Sequence, residues 1–164
     1  INMNLREDKH WSYGVGANVR AAVGQRMYMS SSPVQTDKTR ESLQELVREY
    51  SDIAGGRPIT AAELAAAQSN ETLGLPGQFE TAGQVSNAYQ TILQYKLPQD
   101  YYSSFTQTVT AMTPAQANAL AARAISPNQL VWVVVGDMSK VEAGIRDLKI
   151  GKVTKIDADG KPVQ

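Results

Sequence analysis

Residues 5–17 carry the stretch LREDKHWSYGVGA, in which a run of charges leads directly into a segment with two glycines. The charges indicate the end of a helix, and the alternation from Ser12 to Val19 predicts a half-buried strand with Tyr13 on its apolar side. An arginine that closes a helix and a tyrosine that opens the next strand can aim two fixed donors at one point. Arg6 and Tyr13 are therefore candidates for holding a peptide carbonyl or the oxyanion formed from it.

The segments that follow have mostly helical patterns. A second strand at residues 25–31 is predicted to pair antiparallel with the first across a turn at residues 22–24. Five helical segments come next, each marked by the spacing of its apolar residues or by a capping box. They are predicted at residues 36–53, 60–73, 80–95, around 101–105 with its aromatic side chains inward, and 114–124.

The last part of the chain is predicted to return to strand. The unbroken apolar run Leu130 to Val135 indicates a strand covered on both faces or by a helix layer. Ser139 and Glu142 form a capping box that opens another helix, and a short strand is expected at residues 153–156. The predicted fold is therefore α+β, with an antiparallel sheet covered by helices. Residues 1–156 are expected to form one domain and residues 157–164 a polar tail.

Composition excludes several classes of function. Sixteen basic residues balance sixteen acidic ones among 164, which argues against nucleic acid or an anionic membrane as the partner. The longest apolar run is too short to span a bilayer. Because cysteine is absent, the chain has neither disulfides nor thiolate metal sites.

Metal-dependent catalysis also lacks its ligands in this sequence. A zinc hydrolase needs about three protein ligands and an open position for water. The single histidine, His10, would have to be joined by carboxylates, because cysteine is absent. No metal is assigned to the chain, and His10 is interpreted as a solvated or locally hydrogen-bonded residue near a helix end.

The spacing from Arg6 to Tyr13 resembles the L-R-x-x-x-x-x-x-Y signature of the second, non-zinc half of insulinase-type and pitrilysin-type zinc metallopeptidases, in a bacterial, processing-peptidase-like form. Residues 75–81 (LPGQFET) and 133–137 (VVVGD) also resemble the C-terminal domain of this family. The resemblance implies an N-terminally truncated, non-catalytic insulinase-family domain. It also implies that Arg6 and Tyr13 bind substrate and stabilise the oxyanion.

The same resemblance implies the partners. Zinc and a glutamate base are expected in a complementary domain or subunit bearing H-x-x-E-H, with a peptide as substrate and a periplasmic or otherwise exported location. An absent upstream strand would expose a sheet edge, so self-association of the chain is expected.

Two alternatives stay open at this point. In structure, residue types alone favour the alternative that Arg6 pairs with Glu7 or Asp8 at the surface and that Tyr13 lies at the edge of the core. In function, the chain belongs instead to a catalytically silent scaffold or interaction subunit of the same superfamily.

Overall fold

A computed structural model describes residues 1–163 of the chain. The architecture is α+β, as predicted, and is rich in helix. The helices are α1 (Thr39–Ser51), α2 (Ala61–Gly74), α3 (Ala82–Tyr95), α4 (Tyr101–Thr110), α5 (Pro114–Ala124) and α6 (Met138–Asp147). Strands β1 (Gly16–Val19) and β2 (Tyr28–Ser31) form a two-stranded sheet. None of the helices described in residues 1–163 has the length and apolar character needed to cross a membrane.

Capping boxes set the starts of three helices. The side chain of Thr60 accepts from the Glu63 amide before α2, and Thr113 accepts from the Gln116 amide before α5. Both boxes were predicted from the sequence. A third box, made by Thr81 and Gln84, opens α3 two residues later than predicted. In each case the threonine satisfies an amide that the first helical turn leaves without a partner.

The chain forms two compact units. The first contains residues 1–17, residues 30–50 and the chain from Pro127 onward. Its buried apolar residues are Leu5, Leu43, Leu46, Tyr50 and Val141. The Tyr50 ring packs against Trp132 with centroids 6.1 Å apart. A Cβ on Gly144 of α6 would lie 3.1 Å from the Arg40 Cβ, so glycine permits a close approach between α6 and α1.

The second unit contains residues 18–29 and 51–126. Its buried apolar residues are Leu64, Ala88, Ala117 and Ile125. The Asn118 amide fixes the loop before α2, donating to the Ile59 carbonyl at 3.0 Å and accepting from the Ile59 amide at 2.6 Å. The aromatic side chains of α4 are half-buried, and Tyr102 packs edge-on against Phe79 at 5.2 Å.

The division into one domain at residues 1–156 and a tail at residues 157–164 stays a prediction, and Gln164 lies outside the described residues. Within the tail, the Asp157 carboxylate accepts from the Asp159 and Lys161 amides, and Gly160 has a φ of +78°. These bonds form the turn that the sequence predicted here.

The hairpin is shorter and more exposed than predicted. Gly24, with a φ of +100°, occupies the predicted turn, and the Arg20 amide donates to the Met27 carbonyl at 2.8 Å. All four residues of β1 are exposed, so the half-buried strand expected over residues 12–19 is wrong. The reason is that alternation of apolar residues predicts burial only if a layer packs on that face.

The predicted strand at Leu130–Val135 is also wrong. No strand is assigned there, and Val131, Val133 and Val135 are 88%, 73% and 94% exposed. Leu130, Trp132 and Val134 are half-buried, which is the two-residue alternation of an extended chain. The apolar run favours an extended backbone, but a strand needs a hydrogen-bonded neighbour, and the described residues supply none.

Two boundaries near the C-terminus also differ from the prediction. Helix α6 begins at Met138 because the Asp137 side chain, rather than Ser139, is the cap. The Ser139 amide donates to Asp137 Oδ1 at 3.1 Å. The strand expected at residues 153–156 is reduced to an isolated bridge between Ile156 and Pro162.

Candidate functional site

Arg6 lies in the last turn of a short π-helix, Met3–Asp8. The Lys9 amide donates to the Asn4 carbonyl at 3.0 Å, and the Trp11 amide donates to the Leu5 carbonyl at 2.9 Å. Leu5, next to Arg6, is completely buried and anchors this turn in the core of the first unit. The backbone that carries Arg6 is therefore fixed by both packing and hydrogen bonds.

Helix α1 holds the π-helix through its acidic side chains. The Asn4 side-chain amide donates to Glu45 Oε2 at 2.7 Å and to Glu49 Oε1 at 2.8 Å. The Lys9 ammonium lies 3.6 Å from Glu45 Oε1. Asn4 is itself buried, so these charge-assisted bonds are partly shielded from water and help to fix the orientation of the turn.

The Arg6 side chain is about half exposed, with Nε 3.3 Å from Glu7 Oε1. This is the surface pairing that residue types alone favoured. An exposed pair of this kind contributes little to stability, so a ligand carboxylate or carbonyl can compete for the guanidinium.

His10 turns the chain between Arg6 and Tyr13. It has a φ of +56°, and its Nδ1 lies 3.0 Å from the Arg6 carbonyl oxygen. Among residues other than glycine, histidine is one of those several-fold enriched in the left-handed backbone conformation. The contact confirms the interpretation of His10 as a locally hydrogen-bonded residue. Across residues 1–163, no three histidine, cysteine or acidic side chains are grouped closely enough to hold a metal ion.

Tyr13 is 97% exposed, whereas Ser12 beside it is buried. The assignment of Tyr13 to the buried side of a strand, or to the edge of the core, is therefore wrong. The Ser12 hydroxyl lies 2.6 Å from the Pro33 carbonyl and 2.9 Å from the Gly14 carbonyl, and it accepts from the Gly14 amide at 3.1 Å. Tyr13 thus projects from a backbone that is held on its buried side.

Asn2 and Ser12 are the positioning residues that the sequence interpretation missed. The Asn2 side-chain oxygen accepts from the Val15 amide at 3.0 Å, which ties the start of the π-helix to the segment after Tyr13. Serine followed two residues later by glycine is a pattern typical of a side-chain-stabilised turn, and this pattern could have identified Ser12. The Asn2 contact has no comparable local pattern.

The side chains of Arg6 and Tyr13 supply hydrogen-bond donors at the surface. A guanidinium presents several donors in a planar fork, and a phenol presents one. Both side chains are exposed, and their backbones belong to the same unit and are joined through the bond between Trp11 and Leu5. Each of these side chains can donate to a carbonyl, carboxylate or oxyanion that another molecule or domain brings to it.

Comparisons with known proteins identify a similar fold. No protein-family model matches the sequence, and no curated protein matches it. Among solved structures, the chain is similar to the crystal structure of a peptidase M16 inactive domain from Pseudomonas fluorescens, with a TM-score of 0.65 and 17% sequence identity. The match covers 76% of this chain and 29% of that chain. The fold is thus similar to that of an M16 inactive domain, and this chain spans less than a third of the length of the matched chain.

Proposed function

We propose that this chain is the non-catalytic C-terminal domain of an insulinase-type zinc peptidase. In this role it closes the peptide-binding chamber and contributes Arg6 and Tyr13 to substrate and transition-state binding. The observation that carries the proposal is the fold, which is similar to that of a domain described as inactive within a peptidase M16. The independent spacing of Arg6 and Tyr13 in the sequence supports it.

The geometry of Arg6 and Tyr13 fits a binding role. Both side chains are exposed on backbones that are anchored by buried neighbours, Leu5 and Ser12. The anchored backbones reduce the reorganisation needed when charge develops on the carbonyl oxygen, and the exposed side chains become ordered when the substrate binds. Arg6 would leave Glu7 to meet that oxygen, because their exposed pairing is weak.

The zinc chemistry belongs to the complementary half in this proposal. The sequence has one histidine and therefore no H-x-x-E-H. A domain or subunit bearing that motif supplies zinc, which activates water, together with the glutamate base. We expect the chain alone to be inactive. The proposed partners are a peptide, this zinc-bearing half and a second copy of the chain, and the proposed location is periplasmic or otherwise exported.

A catalytically silent scaffold is the second candidate function. The TM-score of 0.65 concerns fold alone and is equally compatible with a superfamily member that no longer cleaves peptides. The pair Arg6 and Tyr13 favours the peptidase, since a scaffold has no use for two exposed donors in this spacing.

The two candidates are separated by examining the complete protein and its stable partners for H-x-x-E-H, bound zinc and peptidase activity. The peptidase proposal predicts all three, with activity removed by a chelator and restored by zinc. A complete assembly with neither the motif nor zinc would contradict it and would support the scaffold.

A further inference from the structure

Glu45 on α1 contacts both ends of the π-helix that carries Arg6. Its Oε2 accepts from the Asn4 side-chain amide at 2.7 Å, and its Oε1 lies 3.6 Å from the Lys9 ammonium. Asn4 and Lys9 are also the residues whose backbone bond closes the turn around Arg6, with the Lys9 amide 3.0 Å from the Asn4 carbonyl oxygen. One carboxylate therefore bridges the start and the end of this turn.

The turn around Arg6 depends on contacts with the rest of the unit for its shape. π-Helical turns are rare, and a helix of six residues is too short to be stable without tertiary contacts. Leu5 anchors the turn in the core, but burial of an apolar side chain is a non-directional interaction. Hydrogen bonds restrict direction as well as distance. The contacts of Asn4 and Lys9 with Glu45 are therefore the ones suited to set the direction in which Arg6 leaves the turn.

The carboxylate of Glu45 and the amide of Asn4 are themselves held in place. The Glu45 side chain is only 16% exposed, and the guanidinium of Arg48, one turn later on the same helix face, contacts its Oε2. Glu49 Oε1 accepts the second side-chain proton of Asn4 at 2.8 Å. If Asn4 turned away, it would leave a buried donor unpaired, which is costly. The contact between Asn4 and Glu45 is thus present before any ligand reaches Arg6.

We propose that Glu45 is a positioning residue for Arg6 in the peptidase reaction, an inference that rests on the proposed function. Glu45 acts only through Asn4 and Lys9, which keep the turn oriented so that the guanidinium meets the substrate carbonyl oxygen. Misplacing a binding group by about 1 Å can lower a rate by up to about 10²-fold. Without Glu45, the turn stays anchored by Leu5 but no longer directs Arg6 to one point.

The first test is steady-state kinetics of the complete assembly carrying Glu45→Ala. We expect kcat to fall about tenfold to 10²-fold with little change in KM, because the lost orientation matters most in the transition state. Glu45→Gln keeps an oxygen for the Asn4 amide and should recover most of the loss. Glu142→Ala is the matched control and should leave kcat unchanged. Glu142 belongs to the same unit, is 28% exposed and forms ion pairs with Arg146 and Lys155 of that unit.

A double-mutant cycle separates positioning from a general loss of structure. If Glu45 acts through Arg6, adding Glu45→Ala to Arg6→Ala should change kcat by less than about twofold. A purely structural effect would lower kcat by the same factor in both backgrounds, and that result would overturn the proposal. Natural kcat in Glu45→Ala alongside an impaired Arg6→Ala would also overturn it. Natural kcat in Arg6→Ala would instead contradict the proposed function itself, and the next measurement then decides whether Glu45 holds the turn.

Amide hydrogen exchange of the 164-residue chain tests the same contact without any reaction. The Lys9 and Trp11 amides close the turn, so their exchange should be several-fold faster in Glu45→Ala than in Glu142→Ala. Equal exchange at these two amides in both variants would overturn the proposal, because the turn would then keep its shape without Glu45.

Discussion

Leu5 is the residue on which the position of Arg6 depends. It is the apolar side chain that the π-helix buries completely, directly before Arg6 in the chain. Removal of such a side chain loses both the burial energy and the contacts across the cavity left behind. The position of the Arg6 side chain at the surface therefore depends on the stability of the first unit.

Leu5→Ala should lower the free energy of unfolding by about 2–5 kcal/mol, because the side chain is fully buried. Urea denaturation followed by circular dichroism measures this change. Met3→Ala is the control in the same π-helix, since Met3 is 67% exposed and should cost within about 0.5 kcal/mol. Equal effects of the two substitutions would show that Leu5 does not anchor the turn.

Asp137 gives the fold a specific pH dependence. Hydrogen bonds from the Ser139 hydroxyl and then the Ser139 amide hold the pKa of the Asp137 carboxyl below its ordinary value. Because the folded pKa is the lower one, the resulting stability is complete above about pH 4 and is lost as the pH falls through the folded pKa.

The pH effect is measured as the difference in unfolding free energy between the natural chain and Asp137→Ala. We expect this difference to shrink below about pH 4. Asp137→Asn keeps a capping oxygen without a titratable group, so its advantage over alanine should be independent of pH. A difference between the natural chain and Asp137→Ala that stays constant down to pH 2 would contradict the assignment.

Helix ends were the elements best predicted from the sequence. Thr113 and Gln116, together with Pro114, gave the start of α5 correctly, because a capping box is complete within four residues. The strands were predicted less well, since their pairing depends on residues far apart in the chain. Residues 130–135 have the composition of a buried strand but lack a neighbour among the described residues.

The candidate site was also predicted only in part, although the contacts concerned join residues closer together in the chain. The sequence correctly predicted that Arg6 lies at a helix end and that His10 makes a local contact. It predicted Tyr13 on the buried side and Ser12 on the exposed side, whereas Ser12 is buried and Tyr13 is exposed. A side-chain turn at Ser12 competes with strand alternation and prevails because its hydroxyl also reaches Pro33.

Thr113→Ala tests the capping argument for α5. Loss of the side-chain bond to the Gln116 amide should lower the free energy of unfolding by about 1 kcal/mol. Thr113→Ser preserves the hydroxyl and should retain most of the stability. If serine and alanine destabilise the chain equally in thermal and urea unfolding, the cap contributes through packing instead.

At the scale of the whole molecule, the fold is similar to that of an M16 inactive domain. The match spans 29% of the solved chain, so most of that protein lies outside the region compared. In the proposed function, the complementary half carries out the reaction and this chain positions the substrate. Under that proposal, Arg6 and Tyr13 would act only when the two halves face each other.

The most direct test of this account is the steady-state peptidase activity of the complete assembly carrying Arg6→Ala or Tyr13→Phe. Removing one oxyanion donor should lower kcat by roughly 10²–10³-fold while zinc content stays unchanged. Arg20→Ala and Tyr89→Phe alter other exposed residues of the same types and should leave kcat unaffected. Natural turnover in both the Arg6 and Tyr13 variants would contradict the account.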